Sequence, residues 1–216
     1  SDQLGQLTQF GAGLSDMALK FASMRRAVQA QSIALDASTT TQLQARSWVS
    51  MPEVIAERCV GVQELSVRFN ELVAMLPQVH RLGTLETLII SDNSIGHIPP
   101  GIGKLTRLKW LDVSYNNLTD PQAAGAVGRR MATTTDDPPA IPTQIGELSA
   151  LKNLVLSVNA FRSLPTQIGK LTELTNLAVP YTSLESVPTE IGLLSKLSKL
   201  DLSHTKITSL PFTEMA

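Results

Sequence analysis

The sequence predicts an α/β solenoid: a right-handed coil of about six short repeats with a parallel sheet on its concave side, preceded by an α-helical N-terminal arm. Three observations carry this expectation. The skeleton L-x-x-L-x-L-x-x-N-x-L recurs from Val62, Leu85, Leu108, Leu151, Leu174 and Leu197, at steps of 23, 23, 43, 23 and 23. Between the copies lies a second motif, (I/L/V)-P-x-x-I-G-x-L, clearest in IPPGIGKL, IPTQIGEL, LPTQIGKL and VPTEIGLL. The first fifty residues follow a different period, so the chain divides into an arm, 1–50, and a repeat domain, 51–216.

Each part of the repeat has a physical reason. A period-2 segment makes a short strand with its leucines inward, and one unit alone cannot bury that face, so units stack. The fourth and sixth positions are apolar every time: Leu65/Val67, Leu88/Ile90, Leu111/Val113, Leu154/Leu156, Leu177/Val179 and Leu200/Leu202. The chain must then bend, which leaves backbone amides inside; Asn70, Asn93, Asn116 and Asn159 stand where a side-chain amide could bond them as a ladder. Thr182 and Thr205 replace the last two, and their shorter side chains predict a weaker C-terminal ladder. Proline keeps the return segment out of the sheet and glycine permits a tight turn there, so the convex side should hold loops and short helical turns.

These motifs resemble the leucine-rich-repeat proteins, over about residues 51 to 212, and the 23-residue unit is most similar to the intracellular Ras-group repeats and their plant relatives. The resemblance implies a noncatalytic scaffold that binds a protein on its concave face, in Ras-type signalling. In such a coil the third, fifth, seventh and eighth positions face outward. They supply the candidate partner-binding residues Arg68, Phe69, Ile89, Asp92, Trp110, Asp112, Tyr115, Val155, Tyr181, Asp201 and His204. Phe69, Trp110, Tyr115 and Tyr181, with Ile89 and Val155, make an apolar strip beside polar positions, the composition of binding hot spots, although cross-strand packing also uses such residues. Six strands about 4.8 Å apart give a run of roughly 24 Å, which suits a small domain or a helix rather than a metabolite.

The arm carries a heptad stripe, Leu7, Phe10, Leu14, Met17, Phe21, Met24 and Val28, predicting one helix over about 3–36 with coiled-coil character. It either packs on the chain's own repeats or docks onto a partner helix, and Lys20, Arg25 and Arg26 also permit a membrane-surface reading. Residues 50–62 match the return half of a repeat, with Ala56 and Cys59 where Ile102 and Leu105 stand later. The 20-residue insertion falls at about 119–138 as a loop at the rim. Arg129 and Arg130 before Thr133 resemble a basophilic kinase site, and Asn117-Leu118-Thr119 is formally a glycosylation sequon produced by the repeat pattern. At the other end, the layer of Leu197, Leu200, Leu202 and Ile207 needs a cover: Phe212 and Met215, a partner, or further chain. That open end and the apolar arm support a second reading, a structural accessory subunit of a large multiprotein assembly, with an organelle as one setting for it.

Composition narrows the classes. A formal charge of −1 gives no general pull toward nucleic acid, and no apolar run is long enough for a transmembrane helix. Cys59 is the single cysteine, which excludes an intramolecular disulfide and favours a reducing, intracellular compartment, cytoplasmic or organellar. His80, His97 and His204 sit in unrelated frames, so no metal site or cofactor is expected. Asp112 and Asp201 lie three strands apart, about 14 Å, too far for a glycosidase pair. Asp201, Ser203 and His204 are neighbours on one strand and form no triad, so no enzyme activity is expected.

Overall fold

The computed structural model describes residues 40–42, 48–51, 55, 60–75, 77–120 and 138–210. The arm's heptad residues, Ala56, Cys59, and the Arg129–Thr133 stretch lie outside them. Seven three-residue strands form one parallel sheet in sequence order: β1 Thr40–Gln42, β2 Glu64–Ser66, β3 Thr87–Ile89, β4 Trp110–Asp112, β5 Asn153–Val155, β6 Asn176–Ala178 and β7 Lys199–Asp201. Every pair is in the register the repeats require, with Leu65, Leu88, Leu111, Leu154, Leu177 and Leu200 directly aligned. All but the last are buried to within 1%.

The sheet holds one strand more than the six counted copies. Thr41 of β1 pairs with Leu65, so Thr40–Gln42 belongs to a degenerate repeat, and the chain divides into compact units between Ser38 and Thr39. Only Leu43 and Trp48 keep the apolar pattern there, and Arg46 stands where the asparagine recurs. Trp48 nonetheless takes the place that Leu72 holds one repeat later. Its backbone N–H donates to Asn70 Oδ1 at 3.3 Å, as Leu72 N–H does to Asn93 Oδ1 at 3.0 Å, and its indole is buried. Ile55, 1% exposed, is a buried filler of the segment that follows.

The return segments form 3-10 turns, Pro77–Arg81, Pro100–Lys104, Thr143–Glu147, Thr166–Lys170 and Thr189–Leu193, and their inward isoleucines Ile102, Ile145, Ile168 and Ile191 are buried. The motif glycines serve a different purpose from the tight turn expected of them. Gly103, Gly146 and Gly169 have no positive φ; a Cβ on them would lie 2.8, 2.5 and 2.6 Å from the backbone oxygens of Gln144, Gln167 and Glu190. They are glycine because successive turns approach that closely.

The asparagine ladder forms as expected. Asn93 Nδ2 donates to the carbonyls of Val67, Ile90 and Ser91 while Oδ1 accepts from Leu72 N–H. Asn116 and Asn159 repeat the pattern, accepting from Ile95 and Leu118. Thr182 and Thr205 donate only within their own repeats, to Val179 and Leu202. The insertion does not disturb the stack, since Leu111 and Leu154 on either side are in register. Asp120 fastens its root, accepting from Ala140 N–H at 3.4 Å and from Arg162 N–H at 2.7 Å.

Candidate protein-interaction surface

The eighth position of every described repeat has a left-handed backbone: Phe69, Asp92, Tyr115, Val158, Tyr181 and His204 have φ between 52° and 57°. The cause is the bend from strand into ladder. The N–H groups of Phe69 and Asn70 donate to the carbonyls of Ser91 and Asp92 in the next repeat, and the same two-bond step recurs at Asp92/Asn93 and Tyr115/Asn116. A residue so placed lifts its side chain off the sheet. Phe69, Tyr115 and Tyr181 are 48%, 57% and 58% exposed. A left-handed conformation costs a non-glycine residue about 1–2 kcal/mol, so large side chains here oppose the backbone preference.

The face is organised in rows rather than as one strip. The eighth-position row runs along the rim at the C-terminal ends of the strands. Trp110, 41% exposed, sits at the start of β4, five residues from Tyr115 and therefore about 16 Å away along the strand. Between the rims, Ile89, Asp112 and Val155 are neighbours in register at the ends of β3, β4 and β5, all half-buried. Of the serines at the seventh position, expected to face outward, Ser91 and Ser114 are instead buried at 3% and 7% exposed, while Ser157 is half-buried and Ser203 is exposed.

Two clusters join residues that the sequence only placed in the same map. At the N-terminal end the Arg68 guanidinium lies over the Phe69 ring, 4.3 Å from its centroid, and reaches Asp92 at 3.9 Å. At the C-terminal end the Tyr181 and His204 rings stack, centroids 4.2 Å apart and 8° from parallel. The two aspartates at fifth positions are each held by the serine two residues on. Ser114 Oγ and N–H donate to Asp112 Oδ1 at 2.6 and 2.9 Å, and Ser203 does the same for Asp201 at 2.7 and 3.0 Å. The Ser203 hydroxyl, then its amide, holds the Asp201 carboxyl below the usual carboxylate range. LDVS and LDLS contain these turns, but in the sequence they read simply as repeat consensus. Among the described residues no group of three His, Cys, Asp or Glu side chains could hold a metal ion, and no helix is long and apolar enough to cross a membrane.

A parallel sheet of identical short strands, an internal asparagine ladder and a convex side of 3-10 turns define a repeat solenoid of the leucine-rich class. The Leucine Rich Repeat family model matches residues 84–105. Among solved structures, the ectodomain of the Arabidopsis thaliana receptor kinase GASSHO1/SCHENGEN3, in complex with CASPARIAN STRIP INTEGRITY FACTOR 2, is 25% identical with a TM-score of 0.59, over 73% of this chain and 17% of that one. The Arabidopsis receptor kinase HAESA, in complex with the peptide hormone IDA and the co-receptor SERK1, is 25% identical with a TM-score of 0.60, over 76% of this chain and 26% of that one. The Leptospira interrogans protein LIC12759 is 24% identical with a TM-score of 0.52, over 76% of this chain and 43% of that one. The chain therefore spans less than half the length of each. Its fold is that of the leucine-rich-repeat proteins, a fold that serves protein interaction in general.

Proposed function

We propose that the chain is a noncatalytic interaction module that binds a protein partner on its concave face, through the rim bearing Phe69, Asp92, Tyr115, Tyr181 and His204, the floor bearing Ile89, Asp112 and Val155, and Trp110 on the opposite rim. One observation carries this reading: exposed aromatic rings occupy backbone positions that disfavour them and contribute little there to the core. Of the similar structures, that of HAESA holds the peptide hormone IDA and that of GASSHO1/SCHENGEN3 holds CASPARIAN STRIP INTEGRITY FACTOR 2, which supports the same use of the fold here. A role in Ras-type signalling and an intracellular location are parts of the proposal that rest on the resemblance of the repeat unit and on the single cysteine. The test is affinity capture by the whole chain against Trp110→Ala and Tyr115→Ala variants of unchanged thermal stability. Loss of a captured protein is expected; full retention in both variants would transfer the role to another surface.

A second reading, a structural subunit of a larger assembly, is favoured by the face of the last described repeat, where Leu200 is 37% and Leu210 is 44% exposed. Light scattering on the purified chain separates the two. A dispersed monomer of intact fold argues for the module, and association that stops on Leu200→Gln argues for the subunit.

A further inference from the structure

We infer that the occupant of the concave rim is a basic, proline-rich segment in the polyproline II conformation, an inference that rests on the concave-face reading and specifies its ligand. Three exposed rings of this row stand at alternate strands, Phe69 after β2, Tyr115 after β4 and Tyr181 after β6, and the His204 ring stacks on Tyr181 one strand further on. Because the three share one position and one backbone conformation, their spacing follows the sheet, two strand intervals or about 9.6 Å. Concave curvature can only shorten this at the ring tips.

A ligand that seats equivalent residues against this row must repeat at that distance on one face. Polyproline II has three residues per turn and rises about 3.1 Å per residue, so every third residue shares a face at about 9.3 Å. An α-helix lying along the row repeats a face at seven residues, about 10.5 Å. Over the two intervals from Phe69 to Tyr181 the polyproline helix drifts by about 0.6 Å and the α-helix by about 1.8 Å, and any shortening by curvature adds to the latter from the start. A β-strand alternates faces, so its third residue points away. Aromatic-lined grooves are also how extended proline-rich segments are held in general.

Charge settles the rest of the chemistry. Among the outward positions of the concave face stand Glu64, Asp92, Asp112 and Asp201 against Arg68 and Lys199, so that even with the loose 3.9 Å pair of Arg68 and Asp92 set aside the carboxylates outnumber the cations. The gap between Phe69 and Tyr115 has Asp92 on the intervening strand, and the gap between Tyr115 and Tyr181 has Val158. The ligand therefore places a cation in the first gap and an apolar ring in the second, three residues apart.

The experiment is fluorescence anisotropy of the full chain with three labelled dodecapeptides, each with one central arginine: a polyproline, a Gly-Ser chain and an alanine-based helix. The polyproline probe should bind at least tenfold more tightly than the other two. Tyr115→Asn should weaken it at least tenfold without loss of thermal stability, because asparagine accepts the left-handed backbone. Asp92→Asn should remove the advantage over a polyproline carrying glutamate in place of arginine. Equal binding of the polyproline and Gly-Ser probes, indifference to Tyr115→Asn, or no binding by any probe would each overturn the inference. Preferential binding of the helical probe, lost in Tyr115→Asn, would overturn the proline assignment yet leave the concave-face reading standing; that reading fails separately, by unchanged capture in the Trp110 and Tyr115 variants.

Discussion

Val158 sets a β-branched side chain on a φ of 54°, the costliest combination in the eighth-position row. Asparagine visits this region readily, so Val158→Asn should stabilise the protein by about 1 kcal/mol, raising the melting temperature by about 2–4 °C in a calorimetric scan. The opposite sign is expected one position further on. Asn116 Nδ2 donates to the carbonyls of Ile90, Val113 and Ser114, and Oδ1 accepts from Ile95 N–H, whose side chain is fully buried. Asn116→Ala removes the partner of several interior groups at once, each costing about 1–3 kcal/mol when left unmade. A loss of about 3 kcal/mol or more in urea unfolding is expected, while a loss below about 1 kcal/mol would mean that the ladder is ornamental. Adjacent residues thus answer to different demands: the asparagine holds the bend, and the residue before it is free to serve recognition at the expense of strain.

At the scale of the element, the 3-10 turns stack through their glycines. Gly146→Ala would set a methyl group 2.5 Å from Gln167 O, a backbone atom that cannot rotate away, whereas a Cβ on Gly83 meets nothing within 4 Å. The first should cost about 1–3 kcal/mol and the second nearly nothing, read as the difference in denaturation midpoint between the two variants. These elements also show what a sequence does and does not display. The coil, its register and the asparagine ladder were legible because each repeats a buried residue type at a fixed interval, and burial constrains residue type strongly. The strand Thr40–Gln42 escaped notice because Thr41 and Arg46 break the pattern while only Leu43 and Trp48 keep it. The left-handed row was invisible for the reverse reason: Phe, Asp, Tyr, Val and His share no chemistry, and the bend is imposed by their neighbours' hydrogen bonds. The outward positions divide into two rims with Ser91 and Ser114 buried between them, a division that depends on side-chain size across strands. No single repeat states that.

The whole coil is a sum of layers, and its response to conditions should show this. Lys109, hydrogen-bonded at 2.6 Å, and then Arg107 hold the Glu86 carboxyl below its usual range, and Lys196 does the same for Glu173. A depressed carboxylate favours the folded state above its unfolded pKa and loses that contribution as pH falls through the folded value, so stability should decline below about pH 4.3. Urea midpoints across that window should flatten in Glu86→Gln, although only slightly, since these pairs are exposed. A stronger test uses amides of identical local geometry. The sixth-position N–H groups of Ile90, Val113, Leu156 and Val179 each donate to the next repeat at 2.8–2.9 Å, so their intrinsic hydrogen bonds do not differ. Their surroundings do. Ile90 and Val113 lie between asparagine-bearing repeats, whereas Val179 leans on β7, whose three residues are all exposed, and on Thr182, whose hydroxyl donates within its own repeat. If each layer is held by its neighbours, opening should begin at the β7 end and move inward, so that native-state hydrogen exchange by NMR finds Val179 exchanging first, then Leu156, then Val113. Equal protection at all four would mean that the coil opens as one cooperative unit, and that the threonines and the exposed Leu200 cost the C-terminal layers nothing.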